Sequence, residues 1–455
     1  MRKLLPELVE MMEKKVPYAY AMTDYHKGVT IRKDKQGVYV NEIPAVNGVV
    51  FSAFNGEFFE EASVTNCSQD NLYNTVKDLL ERIKVRDNDM AIDPGPGGYR
   101  EFYTKTIIAP MQVELSEKIE IVEDLQNRLL KLDPRVVNAW VAYKEQIKDQ
   151  IFVNRYKNFT QTIIRGSVVL SLYMSDGNKV VNNMEILGKT QGVELLKNID
   201  NSLLERIKKE TIEMLGATKI EPGYYDVITC PDVSGIIAHE TFGHGVEMDL
   251  YLKDGALAQQ YIGKKLAPEY VNIIDDPTLE GEYGCYFFDD EGELAKPTYI
   301  IENGVFKRGI SDFYTSLYLP HLPRTANGRR ESVARKPYAR MSNTFFVPGK
   351  YTLEEIIEST DNGIFMDNGY FGMEDPKGWG LQVNSRIGRE IKGGKYTGKV
   401  FSPITMTGFV PDLLKEISHV GNTFGSIPGT CAKRYKEDVI VSIGGAHIKT
   451  KARLG

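Results

Sequence analysis

The six residues from His239 to His244, which read HETFGH, constrain this chain more strongly than any other stretch. They hold two of the six histidines of the whole chain, and a glutamate follows the first of them. Neutral imidazole is the commonest metal ligand in proteins, and a carboxylate beside a metal-activated water can act as a general base. The pattern therefore favours a metal site. The competing interpretation is a helix with one histidine in the core and one on the surface.

The spacing of the two histidines is unusual for a metal site on a helix. In the pattern H-E-x-x-H the histidines are four residues apart and share one helix face, whereas here they are five residues apart. Residues five apart in a regular α-helix are rotated by about 140°, so the two rings would diverge. We therefore predict that residues 239–244 are not a regular α-helix. A single π-type turn would realign the rings, and Gly243 would lower its cost.

The residues on either side of the motif predict a strand, a tight turn and a helix. Residues 225–230 are typical of a short buried strand, and Asp232 or Ser234 is a candidate N-cap for the helix that follows. Glu247 and Asp249 come directly after the motif. They could accept hydrogen bonds from a metal-bound imidazole, or they could lie at a solvated helix end.

Two histidines do not complete a zinc site, because catalytic zinc usually takes three protein ligands and a water. The third ligand could be a carboxylate or one of the other histidines and cysteines: His26, His321, His419, His447, Cys67, Cys230, Cys285 and Cys431. Cys431 differs in its setting, since Pro428 and Gly429 predict a tight turn that would hold its thiol in place. Spacing alone leaves the choice open.

Several motifs of this chain resemble the TldD/PmbA family, formerly called modulators of DNA gyrase. HETFGHGVEMD at 239–249 is similar to the family's HExxxH signature. Further similar segments follow in the family's order: DDPTLEG at 275–281, FDDEG at 288–292, IENGV at 301–305, RRES at 329–332, RMSNT at 340–344, GN at 421–422 and PGTC at 428–431. The resemblance covers the chain well from Gly223 onward, and covers the N-terminal half only in its order of elements.

The resemblance implies a zinc metallopeptidase whose Zn²⁺ is held by His239, His244 and Cys431. Glu240 would be the general base that takes a proton from the zinc-bound water. The resemblance also implies unfolded peptides or small protein precursors as substrates, within a homodimer or a heterodimer with a PmbA-like subunit. Family members without the HExxxH motif act as partners. The alternative function is therefore a non-catalytic binding or regulatory subunit of a TldD/PmbA-type complex.

The pattern of elements predicts an α+β fold with two domains, residues 1–220 and 221–455. In the first, five runs between residues 18 and 64 predict antiparallel strands, and apolar periodicity predicts helices over 72–83, 116–132 and 193–215. The second is predicted to be mostly β beyond the metal-motif helix and to form the catalytic domain. Asp176-Gly177 and Asn303-Gly304 each predict a hairpin.

The composition predicts a soluble, cytoplasmic protein. Its net charge of −6 argues against nucleic acid as the main partner. Four cysteines without a C-x-x-C pair fit a reducing compartment, and we find neither a signal-peptide core nor an apolar run long enough for a membrane span. The basic stretch from Arg324 to Arg340 could contact nucleic acid, clamp a peptide carboxylate, or be a solvated loop whose arginines pair with nearby acids. The net charge favours the last two.

Overall fold

The computed structural model describes residues 1–87, 92–433 and 436–455. The first half of the chain combines one large sheet with helices. Its strands are β1 (Tyr18–Lys33), β2 (Val38–Phe54), β3 (Phe59–Val64), β4 (Gly98–Tyr103), β5 (Val136–Asn154), β6 (Lys157–Ser175) and β7 (Val180–Lys189). Its helices are α1 (Leu4–Glu13), α2 (Gln69–Arg82), α3 (Leu115–Leu130), α4 (Glu194–Lys197) and α5 (Asn201–Gly216).

The large sheet has the strand order β3-β2-β1-β5-β6-β4, and β7 also pairs with β6. All pairs are antiparallel except β4 with β6, so the predicted antiparallel sheet with helices is confirmed. The residues from 18 to 64 form three strands rather than the five predicted. A bulge between His26 and Gly28 bends β1 without ending it. Gly28 passes so close to β5 that an added Cβ would lie 2.1 Å from the carbonyl oxygen of Glu145.

The predicted helices of this half are present, but the last one is divided. The predicted helix 193–215 consists of the short α4 and the longer α5. The reason lies in Asp200, whose carboxylate accepts a hydrogen bond from the N–H of Leu203 at 3.1 Å and so starts a new helix. The hairpin predicted at Asp176-Gly177 joins β6 to β7, as expected.

The second half of the chain is mostly β. Its strands are β8 (Gly223–Thr229), β9 (Ile273–Asp275), β10 (Thr298–Glu302), β11 (Val305–Phe306), β12 (Gly328–Arg329), β13 (Tyr338–Ala339), β14 (Asn343–Phe346), β15 (Asn362–Asp375), β16 (Gly380–Lys392), β17 (Lys395–Phe401), β18 (Ile404–Phe409), β19 (His419–Val420), β20 (Gly425–Lys433), β21 (Lys436–Gly445) and β22 (Ile448–Leu454). Its helices are α6 (Pro231–Phe242), α7 (Phe313–Tyr318), α8 (Leu353–Glu358) and α9 (Val410–Lys415). The hairpin predicted at Asn303-Gly304 joins β10 to β11.

Two sheets of this half enclose helix α6. One has the order β11-β10-β9-β14-β21-β20, so β20 is an edge strand. The other runs β15-β8-β22-β18-β16-β17, and an additional pairing of β15 with β16 closes five of its strands into a ring. Helix α6 packs against strands of both sheets. Its Gly235 touches β21 directly, since an added Cβ would lie 2.4 Å from the backbone nitrogen of Gly444.

The two halves share an aromatic core. Tyr18, Tyr20 and Phe152 of the N-terminal sheet pack with Phe288 and Phe313 of the second half. In the ring pair Tyr18–Phe313 the centroids are 5.3 Å apart, in an edge-to-face arrangement. The boundary at residue 220 stays a prediction. Among the described residues, no helix is both long enough and apolar enough to cross a membrane.

Candidate metal centre

Helix α6 carries the first part of the metal motif and is buried along most of its length. Its N-cap is Cys230, and Pro231 takes the first helical position, where a fixed φ suits the helix and no N–H is needed. The prediction of Asp232 or Ser234 as N-cap is therefore wrong, since both lie in the first turn. Ser234 instead donates its hydroxyl to the carbonyl of Ala446 at 2.7 Å, which ties the helix to the loop after β21.

The helix ends between the two histidines. Its last residue is Phe242, Gly243 leaves helical geometry (φ −103°, ψ −81°), and a 3₁₀ turn at His244–Val246 follows. The prediction that residues 239–244 are not a regular α-helix is confirmed, but the predicted π-type turn is wrong. The break brings the rings of His239 and His244 together, with centroids 5.2 Å apart. An added Cβ at Gly243 would lie 2.2 Å from the carbonyl oxygen of His239.

Cys431 reaches the two histidines from β20. Its Sγ lies 3.0 Å from Nε2 of His244. One ligating atom from each of His239, His244 and Cys431 lies within 4.8 Å of the others. His239 and Cys431 are buried, and Nδ1 of His239 has no hydrogen-bond partner among the described residues. The structure thus brings together the three residues that the family resemblance names.

The electrostatics of the cluster shift the pKa of Cys431 and that of His244. Burial alone would raise the pKa of Cys431, but the two imidazoles outweigh it and lower the pKa of the thiol well below its usual value. Burial likewise opposes protonation of His244, but Cys431 outweighs it and raises the pKa of that imidazole well above its usual value. The cluster therefore favours a thiolate, which is the form of cysteine that binds metals.

A buried ion-pair network surrounds the cysteine and His244. Arg340 donates from Nη2 to Sγ of Cys431 at 2.9 Å and to its carbonyl oxygen at 2.8 Å. The same guanidinium donates from Nε to Oε1 of Glu247 at 3.1 Å, and that oxygen lies 3.6 Å from Nδ1 of His244. Nζ of Lys433 lies 2.8 Å from the other Glu247 oxygen. Glu247 is therefore placed to orient the imidazole and the guanidinium together.

Both acidic residues after the motif are buried, which excludes a solvated helix end for them. Burial by itself would raise the pKa of Glu247, but Lys433, His244 and Arg340 lower it well below its usual value. Asp249 accepts from Lys433 at 2.7 Å, and burial raises its pKa to about 6. Asp249 thus contacts Lys433, which in turn contacts Glu247, whereas Glu247 itself lies beside the imidazole of His244.

Arg340 belongs to one of the segments that resemble the family, and the structure shows what holds that segment. The buried carboxylate of Asp275 accepts from the backbone N–H of Ser342 at 2.9 Å, from its hydroxyl at 2.7 Å and from the hydroxyl of Thr344 at 2.8 Å. Asn327 donates to the same carboxylate and to the carbonyl of Arg340. These bonds fix the backbone from which the guanidinium reaches Cys431.

Glu240 lies half-buried, next to Gly372 of β15. An added Cβ at Gly372 would lie 2.7 Å from Cγ of Glu240 and 2.4 Å from Cγ2 of Ile236, so a larger residue would displace the carboxylate. Glu374, two residues further along β15, was not singled out in the sequence. Burial raises its pKa to about 9, and neither carboxylate oxygen has a hydrogen-bond partner among the described residues.

His239, Glu240 and Cys431 line a cleft of about 600 Å³ between the two halves of the chain. Its walls come from β7, α5, α6, β15, β16, β20 and β21. Beyond Met366, β15 pairs only with β16, and β20 pairs only with β21 among the described residues. Two strands that line the cleft therefore each have one edge without a strand partner among the described residues, although the N–H of Gly369 on β15 donates to Asp232.

No other candidate ligand belongs to this group among the described residues. Cys67 and Cys285 lie near backbone carbonyls, those of Thr65 and Leu279 respectively, and the ring of His419 lies tilted against that of Tyr351 with centroids 4.6 Å apart. Cys230 forms a second group with Asp232 and Asp367, whose ligating atoms also lie within 4.8 Å of one another. In that group burial, together with Asp232, raises the pKa of the thiol well above its usual value.

The basic stretch from Arg324 to Arg340 is partly interior. The side chains of Arg330 and Arg340 are 0% exposed, and each pairs with a glutamate. Arg324 is half-buried against the ring of Phe313, 3.9 Å from its centroid, and lies 3.6 Å from Glu293. The predicted pairing with nearby acids is therefore confirmed for these arginines. The solvated loop is wrong for Arg330 and Arg340, whereas Arg335 is exposed.

Comparison with known proteins supports a single family. Residues 222–452 match the PmbA/TldA metallopeptidase C-terminal domain. A metalloprotease of Methanocaldococcus jannaschii is 30% identical over 76% of this chain and 75% of that protein. A zinc metalloprotease TldD homolog of Saccharolobus solfataricus is 29% identical over 74% of this chain and 75% of that protein.

The fold agrees with this assignment. The crystal structure of a putative modulator of DNA gyrase from Thermotoga maritima superposes with a TM-score of 0.80 and 17% identity, over 99% of this chain and 98% of that chain. The match therefore extends over both halves, although the family domain covers only the second. With this sequence match and this fold, the chain belongs to the TldD/PmbA family of metallopeptidases.

Proposed function

We propose that this protein is a zinc-dependent peptidase that cleaves unfolded peptides or small protein precursors. The observation that carries the proposal is the meeting of His239, His244 and Cys431 at a cleft that is lined by His239, Cys431 and Glu240. The names of its relatives, metalloprotease and zinc metalloprotease, support the same reaction.

The three side chains fit a zinc ion. Two imidazoles and a thiolate are a donor set that zinc takes in catalytic sites, with one coordination position left for water or substrate. Tetrahedral zinc would hold such donor atoms about 3.3 to 3.6 Å apart, and the three ligating atoms here lie within 4.8 Å of one another. The buried and unpartnered nitrogen of His239 also indicates a site that needs a further ligand.

When bound, zinc would supply a Lewis acid that polarises the peptide carbonyl and makes water more acidic. Glu240 would accept the proton of the attacking water and then deliver it to the leaving amine. Its neighbour Gly372 leaves room for the carboxylate beside the ligands. Glu247 and Arg340 would keep His244 and Cys431 in position throughout, because their own contacts are buried and multiple.

The free strand edges support an extended substrate. An unfolded peptide can add to the edge of β15 or β20 by backbone hydrogen bonds, which recognise an extended chain rather than a particular sequence. A folded protein presents few strands in this form, so the cleft favours unfolded segments. The proposed assembly is a homodimer or a heterodimer with a PmbA-like subunit, and light scattering of the purified protein would test it.

Metal analysis combined with proteolysis tests the proposal. We expect one zinc per chain, digestion of unfolded casein, and loss of both after chelation, with recovery when zinc is returned. Glu240→Gln should retain zinc while turnover falls by at least about 100-fold, since the attacking water loses its proton acceptor. A protein that purifies without metal and digests no casein in added zinc would instead indicate a binding or regulatory subunit.

A further inference from the structure

One of the two arginines that line the cleft lacks the carboxylate partner that the other one has. Arg386 of β16 lines the same cleft as His239 and Glu240. No ion pair within 4.0 Å involves it in the part of the chain that the structure describes. By contrast, Arg206 of the same cleft lies 2.9 Å from Glu185 and 3.1 Å from Glu210. Of the two arginines that line this cleft, Arg386 is therefore the one without a carboxylate partner among the described residues.

The guanidinium of Arg386 is nevertheless held in place. It lies 4.5 Å from the ring centroid of Tyr370, and Nη1 donates to Oδ1 of Asn368 at 3.0 Å. Asp232 is the carboxylate that acts on it electrostatically, but that side chain accepts from the backbone N–H of Gly369 at 3.0 Å and contacts the thiol of Cys230. A half-buried guanidinium on an aromatic ring, with donors left over, is a site suited to a carboxylate.

The strand register gives the distance of this arginine from the reacting groups. Arg386 lies across from Asn368, because Asp367 pairs with Ile387 and Gly369 pairs with Ser385. Gly372, four positions further along β15, is the residue that touches Glu240. A bulge between Gly369 and Phe371 shortens this stretch, so that Gly372 pairs with Val383, three residues from Arg386 on β16. At about 3.3 Å per residue the separation along the strand is roughly 10 Å. An extended peptide covers that distance with three or four residues.

We propose that Arg386 forms a subsite for a carboxylate of the peptide substrate, three or four residues from the bond that is cleaved. The inference rests on the proposed peptidase function and adds a preference within it. The carboxylate is either an Asp or Glu side chain or the carboxyl terminus of the peptide. Both would form charge-assisted hydrogen bonds with the guanidinium, and backbone pairing along β15 would set their position.

A set of unfolded peptides with one Asp at successive positions tests the proposal, with an all-neutral peptide as reference. We expect kcat/KM to be about 10-fold or more higher when the Asp lies three or four residues from the cleaved bond, mainly through a lower KM. Arg386→Met should remove this preference while zinc content and cleavage of the neutral peptide stay unchanged. Arg386→Lys should restore part of it. Amidated and free carboxyl termini on otherwise equal peptides distinguish the two sources of carboxylate.

Arg206→Met is the matched control. It also removes a cation from this cleft, but Arg206 is already paired with two glutamates. It should leave the preference intact. Equal cleavage of all peptides by the unchanged protein, or a preference that survives Arg386→Met, would overturn the subsite. Binding of labelled acidic and neutral peptides to the Glu240→Gln variant separates this result from the proposed reaction. If no peptide is cleaved but the acidic peptide still binds more tightly through Arg386, only the peptidase function fails.

Discussion

Replacing Arg340 by methionine should weaken zinc binding although the residue is not a ligand. The side chain is 0% exposed, and it donates to Sγ of Cys431 at 2.9 Å and to Glu247 at 3.1 Å. Loss of a partner that orients a metal ligand typically costs about 10- to 100-fold in metal affinity, or about 1.4 to 2.8 kcal/mol. The lower part of this range is expected if Lys433, 2.8 Å from Glu247, still holds that carboxylate.

The matched control is Arg330→Met. The Arg330 side chain is also 0% exposed and pairs with Glu61 at 3.0 Å, but it contacts none of the three proposed ligands. Breaking either buried pair should destabilise the fold by about 3 kcal/mol. Only Arg340→Met should also change the metal site.

Competition with a chelator measures zinc affinity in both variants, and the cobalt–thiolate absorption of cobalt-loaded protein reports on the sulfur directly. We expect Arg340→Met to shift that absorption and to lose zinc affinity, while Arg330→Met matches the unchanged protein in both. If Arg340→Met binds zinc within about twofold of the unchanged protein, or if both variants lose affinity equally, the contact with Sγ has no role in metal binding. Absence of the thiolate absorption in the unchanged protein would refute the ligand assignment itself.

Three further predictions follow from single contacts. Cys431→Ala should lower zinc affinity by more than about 10-fold, whereas Cys67→Ala should keep one zinc per chain. Equal zinc content in the two variants would exclude Cys431 as a ligand. Gly372→Ala should displace Glu240, the proposed general base, and lower turnover by roughly 100-fold with zinc retained. Gly380→Ala, whose added methyl group meets open space, should be neutral; unchanged turnover in Gly372→Ala would contradict the packing. Burial raises the pKa of Asp232 to about 6, so its stabilising contribution is present at low pH and is lost as pH rises from about 4 to 6. Urea unfolding measures this contribution. Between pH 4.5 and 7, the free energy of unfolding should fall by about 2 kcal/mol less in Asp232→Asn than in the unchanged protein. The same pH dependence in both proteins would refute this.

The sequence by itself determined the local structure where short-range chemistry is sufficient. The hairpins at Asp176-Gly177 and Asn303-Gly304 follow from residues that accept a tight turn. The departure from helical geometry before His244 follows from a spacing that no regular helix can use. The sequence did not determine how the helix departs from regular geometry, because a π-type turn and a helix end can each bring two histidines five residues apart together.

Only the tertiary structure decided which distant residues meet. Cys431 lies 187 residues from His244, and a contact over that separation depends on the pairing of β20 with β21 and on the packing of α6 against both sheets. The family resemblance supplied the cysteine, whereas the tight turn predicted at Pro428 and Gly429 is wrong, because both residues lie within β20 and pair with β21. Tertiary structure also distinguishes Arg340 from Arg386, which look alike in the sequence. One is buried against a carboxylate and a thiol and the other faces a cleft, because packing and burial, rather than residue type, decide which charges are neutralised inside the protein.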